Sequence, residues 1–519
     1  MLKHPYLRKS LLLLAALSLI PLTAGAQELP LTGAERSGWE RHTSHPELMD
    51  FLFEVQVRSP NMLIQELTTT RQGRIIPLVI LGDPPSAEPG TFLLSGKPTI
   101  FITCSIHGGE YAGKEGGQQL IRELALGELR SLLEEVNVLI IPSLNPDGAE
   151  AEPRSTRTNS MDYDMNRDFI VMETEEVSAA VEDVLLRYWP DVYVDAHNGG
   201  SYPYNLTYQA TLHPSADQPL VDFANGPMYE YVKQHLAQRD LLLYWYSGPS
   251  RDRDTGDWYW RTTTPWVRKQ HSYGGMQNVI TLLYEVPGRH SLDVQADAQR
   301  EGFEALIRFM AENAEQVRGT VMDARRRTLH QPRDEVVLGF EVRAHPGVDE
   351  FYVVPERGAE PELVEGERRT RYVPSATRTR PWAYAFDANL RHIADQLRRH
   401  HIEVEKLVEP VTLTVERYRL TALEYADSPY QNHILAEAEV RTVEEELTLP
   451  AGTYVVRTVQ NSGRVASYML EPDTDDSLLS WNYFDAVMPR PDPEGERARS
   501  ALPLYRIVER VPMKTVTLK

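Results

Sequence analysis

Short apolar runs alternate with helical patterns over the first two thirds of the chain, and this alternation limits the possible folds more than any other feature. The strand-like runs are 73–81, 99–104, 137–143, 191–196 and 278–284, and the helical patterns are 116–133, 174–188, 220–238 and 294–314. Continuously apolar strands are typical of sheets that are buried on both faces. Because strands separated by helices form parallel pairs, the pattern predicts an α/β fold. We expect a mixed, largely parallel twisted sheet with helices on both faces.

The pattern changes after about Arg333. Strand-like stretches such as 335–343 and 453–460 dominate from there, with one helical pattern over 387–400. A Pro-, Arg- and Thr-rich stretch over 372–381 is typical of an exposed connection. We therefore predict a main α/β domain over 27–333 and a smaller accessory domain, α+β or β-rich and of unknown role, over 334–519.

The first 26 residues have the composition of a secretory signal peptide. A basic start precedes an apolar run over 11–22, and Ala24-Gly-Ala26 forms a small-residue cleavage site. A membrane anchor is the alternative, but the run is too short to span a bilayer and Pro21 interrupts it. We expect cleavage after Ala26 and a secreted or periplasmic protein.

Composition restricts the possible partners. The 519 residues include 54 basic and 75 acidic side chains, a formal net charge of −21. This excess of negative charge argues against nucleic acid and anionic membranes as partners. No span is expected once the signal is removed, because no other stretch is long and apolar enough. Cys104 is the only cysteine, which excludes an internal disulfide and a cysteine-based zinc finger. The sequence carries no signal of an oligomeric state.

Chemically competent side chains follow the predicted strands. Ligands bind at the carboxyl ends of strands in open α/β sheets, and His107-Gly-Gly-Glu110, His197 and Glu285 lie at such ends. Two imidazoles and one carboxylate form the ligand set of a catalytic zinc that keeps a position open for water. Glu285, at the mouth of an apolar strand, is expected to be partly desolvated, which raises its pKa and suits a general base. We therefore predict one zinc ion held by His107, Glu110 and His197.

Over about residues 40–315, the chain resembles the zinc carboxypeptidase family of the carboxypeptidase A type. The resemblance rests on an ordered set of motifs: His107-Gly-Gly-Glu110, Asn145-Pro-Asp-Gly148, Arg157-Thr-Asn159, Asp164-Met-Asn-Arg-Asp168, Asp195-Ala-His197 and Tyr284-Glu-Val-Pro287. It implies that 27–333 is the catalytic domain of a metallocarboxypeptidase. Such an enzyme hydrolyses the peptide bond next to a free C-terminal carboxylate, and its substrate is a peptide.

The resemblance also implies roles for single residues. His107, Glu110 and His197 match the zinc ligands, and Glu285 matches the general base that activates zinc-bound water. Asn166 and Arg167 match the pair that binds the substrate's C-terminal carboxylate. Arg157, or alternatively Arg154, matches the residue that stabilises the oxyanion. Asp164 matches the carboxylate that orients a ligand histidine.

Other features of the chain do not align with that family. Its substrate-closing tyrosine has three candidates here, namely Tyr246, Tyr259 and Tyr273. The loop that sets side-chain preference does not align, and residues 334–519 match no module of the family. His271 lies in a predicted loop without partners at ligand spacing, so we expect it to be a surface or structural residue.

Two alternative functions stay open. One is a zinc-dependent amidase or deacylase that acts on small N-acyl amino acids, and the other is a non-hydrolytic peptide-binding module on the same scaffold. The presence of all three metal ligands together with Glu285 favours the enzyme over the binding module.

Overall fold

The computed structural model describes residues 28–330, 334–494 and 497–518. The predicted signal peptide over 1–26 lies outside these residues. Within the described ranges, we find no helix with the length and apolar character that a membrane span requires.

A mixed sheet forms the centre of the first part of the chain. The strands of this part are β1 (Met62–Thr69), β2 (Ile75–Leu81), β3 (Thr99–Cys104), β4 (Asn137–Ile141), β5 (Val192–Asn198), β6 (Leu206–Ala210), β7 (Leu243–Trp245), β8 (Gly248–Arg251), β9 (Trp258–Arg261) and β10 (Ile280–Val286). Eight of them form one sheet in the order β1-β2-β4-β3-β5-β10-β6-β7. Strands β4, β3, β5 and β10 run parallel to one another. The predicted α/β class is confirmed, and the carboxyl ends of β3, β5 and β10 lie side by side.

Helices connect these strands. They are α1 (Gly33–Arg36), α2 (His45–Arg58), α3 (Pro89–Ser95), α4 (Ala112–Leu126), α5 (Pro146–Ala149), α6 (Glu175–Ser178), α7 (Leu186–Tyr188), α8 (Gln218–Phe223), α9 (Tyr229–Ala237), α10 (Gln270–Met276), α11 (Leu292–Glu312) and α12 (Ala314–His330). A π-helical segment over Ala179–Leu185 joins α6 to α7, and another over Ala224–Met228 joins α8 to α9. Short 3-10 helices cover Glu128–Glu134 and Met165–Arg167.

Successive side chains of the central strands enter two different cores. Ile100 and Ile102 point to one face, where α2, α4, α9 and α11 cover them. Phe101 and Tyr193 point to the opposite face. The two-residue period of a strand explains the split, and it explains why consecutive residues of these strands are apolar.

The region after residue 333 is rich in strands, as predicted. Its strands are β11 (Glu335–Arg343), β12 (Asp349–Val353), β13 (Glu362–Arg369), β14 (Arg371–Thr379), β15 (Ala383–Phe386), β16 (Glu405–Leu407), β17 (Val411–Tyr425), β18 (Ala436–Leu449), β19 (Tyr454–Arg457), β20 (Ala501–Ile507) and β21 (Thr515–Thr517), and its helices are α13 (Arg391–Arg399) and α14 (Gly463–Leu470), with 3-10 turns at Asp485–Val487 and Ala498–Ser500. Seven strands form a sheet in the order β18-β17-β20-β15-β19-β16-β21. The prediction of a connection over 372–381 is wrong, because most of this stretch is β14, which pairs with β11; the side chains of β14 are exposed or half-buried, as expected.

The C-terminal region covers the second face of the central sheet. Phe386 and Leu397 are fully buried in the same core as Phe101 and Tyr193. The side-chain amide of Gln396 donates to the carbonyls at 170 and 171, at 2.8 and 2.9 Å. Strand β13 also pairs in parallel with β9. One core is thus continuous across residue 333, and the division into domains at that residue stays a prediction.

Candidate active site

His107, Glu110 and His197 each bring one donor atom to the same point. Nδ1 of His107 lies 2.9 Å from one carboxylate oxygen of Glu110, and Nδ1 of His197 lies 2.8 Å from the other. The two Nδ1 atoms are 3.1 Å apart. A carboxylate and two ring nitrogens at this spacing form a donor set that one metal cation can bridge.

Strand register brings these side chains together. His197 of β5 pairs directly with Glu285 of β10, while β3 on the other side of β5 leads into His107. The turn after β3 packs tightly, because a Cβ on Gly108 would lie 2.2 Å from the carbonyl carbon of Gly148. Only glycine allows such an approach of two backbone segments. The Asn145–Gly148 motif therefore shapes the loop that carries His107.

A carboxylate contacts the far side of each histidine. Nε2 of His107 lies 3.0 Å from Asp164, and Nε2 of His197 lies 2.6 Å from Asp195. These contacts orient both rings so that Nδ1 faces Glu110. No role for Asp195 is predicted from the sequence. Strand periodicity could have found it, because a residue two positions before a strand histidine lies on the same face.

The charges of this cluster are strongly coupled. Burial acts to raise the pKa of Glu110, but His107 and His197 outweigh it and hold the pKa well below its usual range. Burial acts to lower the pKa of His197, but Asp195 and Glu110 outweigh it and raise the pKa well above its usual value. The acidic groups around the two imidazoles therefore favour positive charge at the point where the donors meet.

Glu285 lies in the same cavity as the three donors. Its burial raises its pKa to about 7; the charge of Glu110 adds to this effect and the two histidines oppose it. Tyr246 lines the same cavity, and its hydroxyl acts to lower the pKa of Glu285. A carboxyl group in this state can both accept and release a proton near neutral pH.

The three candidate tyrosines have different positions. Tyr246 lines the cavity. Tyr259 lies in β9 against the guanidinium of Arg369. Tyr273 is fully buried, with its hydroxyl 2.7 Å from Nδ1 of His400. The structure therefore places only Tyr246 of these three beside Glu285.

Two arginines, Arg157 and Arg167, line the cavity, and both interact with the carboxylate of Asp164. Nε of Arg157 donates to Asp164 at 3.0 Å, and Nη2 of Arg167 lies 4.0 Å from the same group. Burial acts to raise the pKa of Asp164, but His107 and the two arginines outweigh it and hold the pKa below its usual range. Arg154 is exposed and does not line the cavity. Asp164 thus connects the arginine pair to a donor histidine.

Asn166 connects the two sides of the cavity. Its Nδ2 lies 3.3 Å from Nε2 of His197, and its Oδ1 accepts the backbone N–H of Gln270 at 3.0 Å. This second bond holds the segment around α10 against the cavity, which encloses about 110 Å³. As a result, Lys269 and His271 also line the cavity. Of the two expectations for His271, surface or structural, the surface position is wrong, because the residue is 1% exposed and lies in α10 rather than in a loop.

A second group of possible metal donors consists of His235, Glu301 and Glu304. Three arginines (Arg239, Arg300 and Arg308) form ion pairs with these two glutamates. Their positive charges already offset the carboxylates, so this group has no need of a metal ion.

Residues 48–183 match the family model of the zinc carboxypeptidases. This range takes in the His107–Glu110 turn and the Arg157–Arg167 segment, whose side chains meet in the cavity. This part of the chain is a zinc carboxypeptidase domain. The domain, together with curated relatives named carboxypeptidase, indicates a hydrolase of the metallocarboxypeptidase class.

Curated proteins similar to this chain are named carboxypeptidases. Carboxypeptidase 2 of Trichophyton tonsurans is 22% identical over 433 residues, which cover 79% of this chain and 78% of the relative. Carboxypeptidase D of Mus musculus is 23% identical over 317 residues, which cover 54% of this chain and 22% of the relative. Among solved structures, a metallo-carboxypeptidase from Burkholderia cenocepacia aligns at 21% identity with a TM-score of 0.41, covering 51% of this chain and 69% of that chain.

Proposed function

We propose that this protein is a zinc-dependent metallocarboxypeptidase that hydrolyses the peptide bond next to a free C-terminal carboxylate. The convergence of His107, Glu110 and His197 beside Glu285 carries the proposal. These three donors fit one zinc ion, because two imidazoles and a carboxylate are a common catalytic ligand set. When bound, zinc supplies a Lewis acid that polarises the scissile carbonyl and lowers the pKa of water.

In this proposal, Glu285 is the general base. Its carboxylate accepts a proton from the attacking water and then passes it to the nitrogen of the leaving amine. A pKa raised to about 7 by burial suits both transfers. The hydroxyl of Tyr246 favours the charged form of this carboxylate, which keeps it ready to accept the proton.

Arginines bind the negative charges of the substrate. We assign Arg167, with Asn166, to the C-terminal carboxylate, because a guanidinium can donate to both oxygens at once. Arg157 lies 3.4 Å from Glu110 and is therefore close enough to the metal donors to stabilise charge on the scissile carbonyl oxygen. Asp164 positions Arg157, Arg167 and the ring of His107 together.

A neighbouring groove supports peptides over small N-acyl amino acids as substrates. An open groove of about 610 Å³ is lined by Gly200 and Pro287, among others. Gly200 directly follows Gly199 and Pro287 lies two residues after Glu285, and both Gly199 and Glu285 line the cavity. A chain that extends from the scissile bond can occupy this groove, whereas a small acyl group does not need it. We further propose that the enzyme acts outside the cytoplasm, secreted or periplasmic, because of the predicted signal at 1–26.

The test is hydrolysis of N-blocked dipeptides by the purified protein before and after chelation. We expect activity to disappear with the metal and to return when zinc is added back. Glu285→Gln should lower kcat by about 10²–10⁴-fold while peptide binding persists. Activity that survives complete zinc removal, or equal turnover by Glu285→Gln, contradicts the proposed function.

A further inference from the structure

We propose that the cavity selects peptides with an acidic C-terminal residue. Lys269, His271 and Thr263 would bind the side-chain carboxylate of that aspartate or glutamate. This assignment rests on the proposed function, because it requires Arg167 to hold the other carboxylate of the same residue.

Lys269 is a buried cation without an anionic partner. Its side chain lies in the cavity wall and only 4% of the residue is exposed. Its Nζ donates to the hydroxyls of Thr263 and Thr264 at 2.7 and 2.8 Å and to the Thr264 carbonyl at 3.1 Å. In the described parts of the chain, no carboxylate lies within salt-bridge distance of this nitrogen. Buried charges in proteins are normally paired, so this ammonium lacks a counter-charge.

The other cations of the cavity differ from Lys269 in this respect. Arg157 and Arg167 both face Asp164, at 3.0 and 4.0 Å. Burial, together with the charges of Arg167 and Arg268, lowers the pKa of Lys269 to about 7, and Asp164 and Asp476 oppose this only in part. A substrate carboxylate beside Nζ would supply the missing negative charge.

His271 adds a hydrogen-bond donor to the same wall. It is 1% exposed, and within the described residues neither ring nitrogen has a hydrogen-bond partner. Burial lowers its pKa well below the usual value, and Lys269 and His197 add to this effect. The ring is therefore neutral and carries one N–H that no protein atom accepts. An unpaired donor at such a position is costly unless a ligand satisfies it.

The pocket is built for a short polar side chain. The hydroxyl of Thr263 can donate as well as accept, so it can turn toward a carboxylate bound at Lys269. Leu283 is the only aliphatic side chain among the described residues that line the cavity. The Asn166–Gln270 hydrogen bond fixes Lys269 and His271 relative to Arg167. The two carboxylates of a C-terminal aspartate or glutamate would therefore meet two separate sets of donors.

The test compares kcat/KM of the zinc-loaded, full-length enzyme on N-blocked dipeptides that end in Glu, Gln, Asp, Asn or Phe. We expect the wild type to prefer Glu over Gln by about 10–100-fold, as for a hydrogen bond between charged groups in a buried site. Lys269→Met should bring this ratio close to one, and Lys269→Arg should retain part of it. Lys514→Met, at an exposed lysine that pairs with Glu409, is the matched control and should leave the ratio unchanged.

Binding gives a second readout that does not depend on turnover. Calorimetry should show tighter binding of N-acetylglutamate than of N-acetylglutamine to the wild type, and equal binding to Lys269→Met, with unfolding temperatures showing that each variant is folded. Equal wild-type values for Glu and Gln peptides overturn the inference. So does a Lys269→Met variant that loses activity by the same factor on all five peptides, because Lys269 would then serve the shared C-terminal carboxylate or the fold. If the wild type hydrolyses none of the peptides, the proposed function fails, and the inference fails with it.

Discussion

Gln431 forms two hydrogen bonds with the backbone of Asp164, which lies 267 residues earlier in the chain. Its Oε1 accepts the Asp164 N–H at 3.2 Å, and its Nε2 donates to the Asp164 carbonyl at 3.1 Å. The side chain of Asp164 contacts Nε2 of His107. The loop between β17 and β18 thus braces a residue that orients one of the proposed metal ligands.

Gln431→Ala should weaken zinc binding. Loss of both hydrogen bonds frees the Asp164 backbone, and we expect about a 3–10-fold loss of zinc affinity, the equivalent of one or two ordinary hydrogen bonds. Competition with a fluorescent chelator measures this change. Gln460→Ala, in another loop of the same region, is the control. Unaltered affinity in Gln431→Ala would show that the brace is not needed.

Asp195→Asn should weaken zinc binding more than Gln431→Ala. Asp195 contacts Nε2 of His197 directly, and loss of such a carboxylate typically costs 10–100-fold in metal affinity. Asp191→Asn changes a buried carboxylate at the opposite end of the same strand, where it accepts the Thr99 N–H. It should leave zinc affinity unchanged. If both variants lose zinc equally, the effect is structural.

Tyr246→Phe should shift the pH dependence of kcat/KM. The Tyr246 hydroxyl stabilises the charged form of Glu285 and so lowers its pKa. Its removal raises that pKa. Since the base must be deprotonated, the acidic limb of the pH profile of kcat/KM should move to higher pH, by roughly 0.3 to 1 pH unit. Tyr273→Phe removes the bond to His400 instead and should leave the limb in place. A limb that moves to lower pH contradicts this role of Tyr246.

Leu397→Ala should destabilise the whole protein. Leu397 lies in α13 and is fully buried in the core that the C-terminal region shares with the central sheet. Removing a buried leucine side chain costs about 2–5 kcal/mol, and urea unfolding should detect it. Leu363→Ala, at a residue that is 54% exposed, should change stability by less than about 0.5 kcal/mol. Separate unfolding transitions for the two regions, with only one affected, would contradict a shared core.

Local patterns account for the elements that were predicted and for those that were missed. Strands such as β3 and β10 are buried along their whole length and mostly apolar, so they stand out in the sequence. Strand β14 has mostly exposed or half-exposed side chains, so its composition is that of a loop, and only pairing with β11 makes it a strand. Helix α12 was missed because only four of its residues are buried.

The same distinction holds at the site. His107, Glu110, His197 and Glu285 can be identified from the residue order, because each follows or ends an apolar strand whose carboxyl end is a place for ligands. Their distances from one another depend on the strand order β3-β5-β10, which brings together segments far apart in the chain. No local periodicity encodes that order.

The residues proposed to set specificity depend still more on long-range packing. Lys269 and His271 lie in an unremarkable segment, and they reach the cavity because Asn166 binds the backbone of Gln270. Gln431 reaches Asp164 because the C-terminal sheet buries the apolar face that the central strands leave uncovered. The order of residues thus defines the elements and the metal-binding chemistry, since both follow from local composition and spacing. Folding sets the substrate pocket and its brace, since both depend on contacts between distant segments.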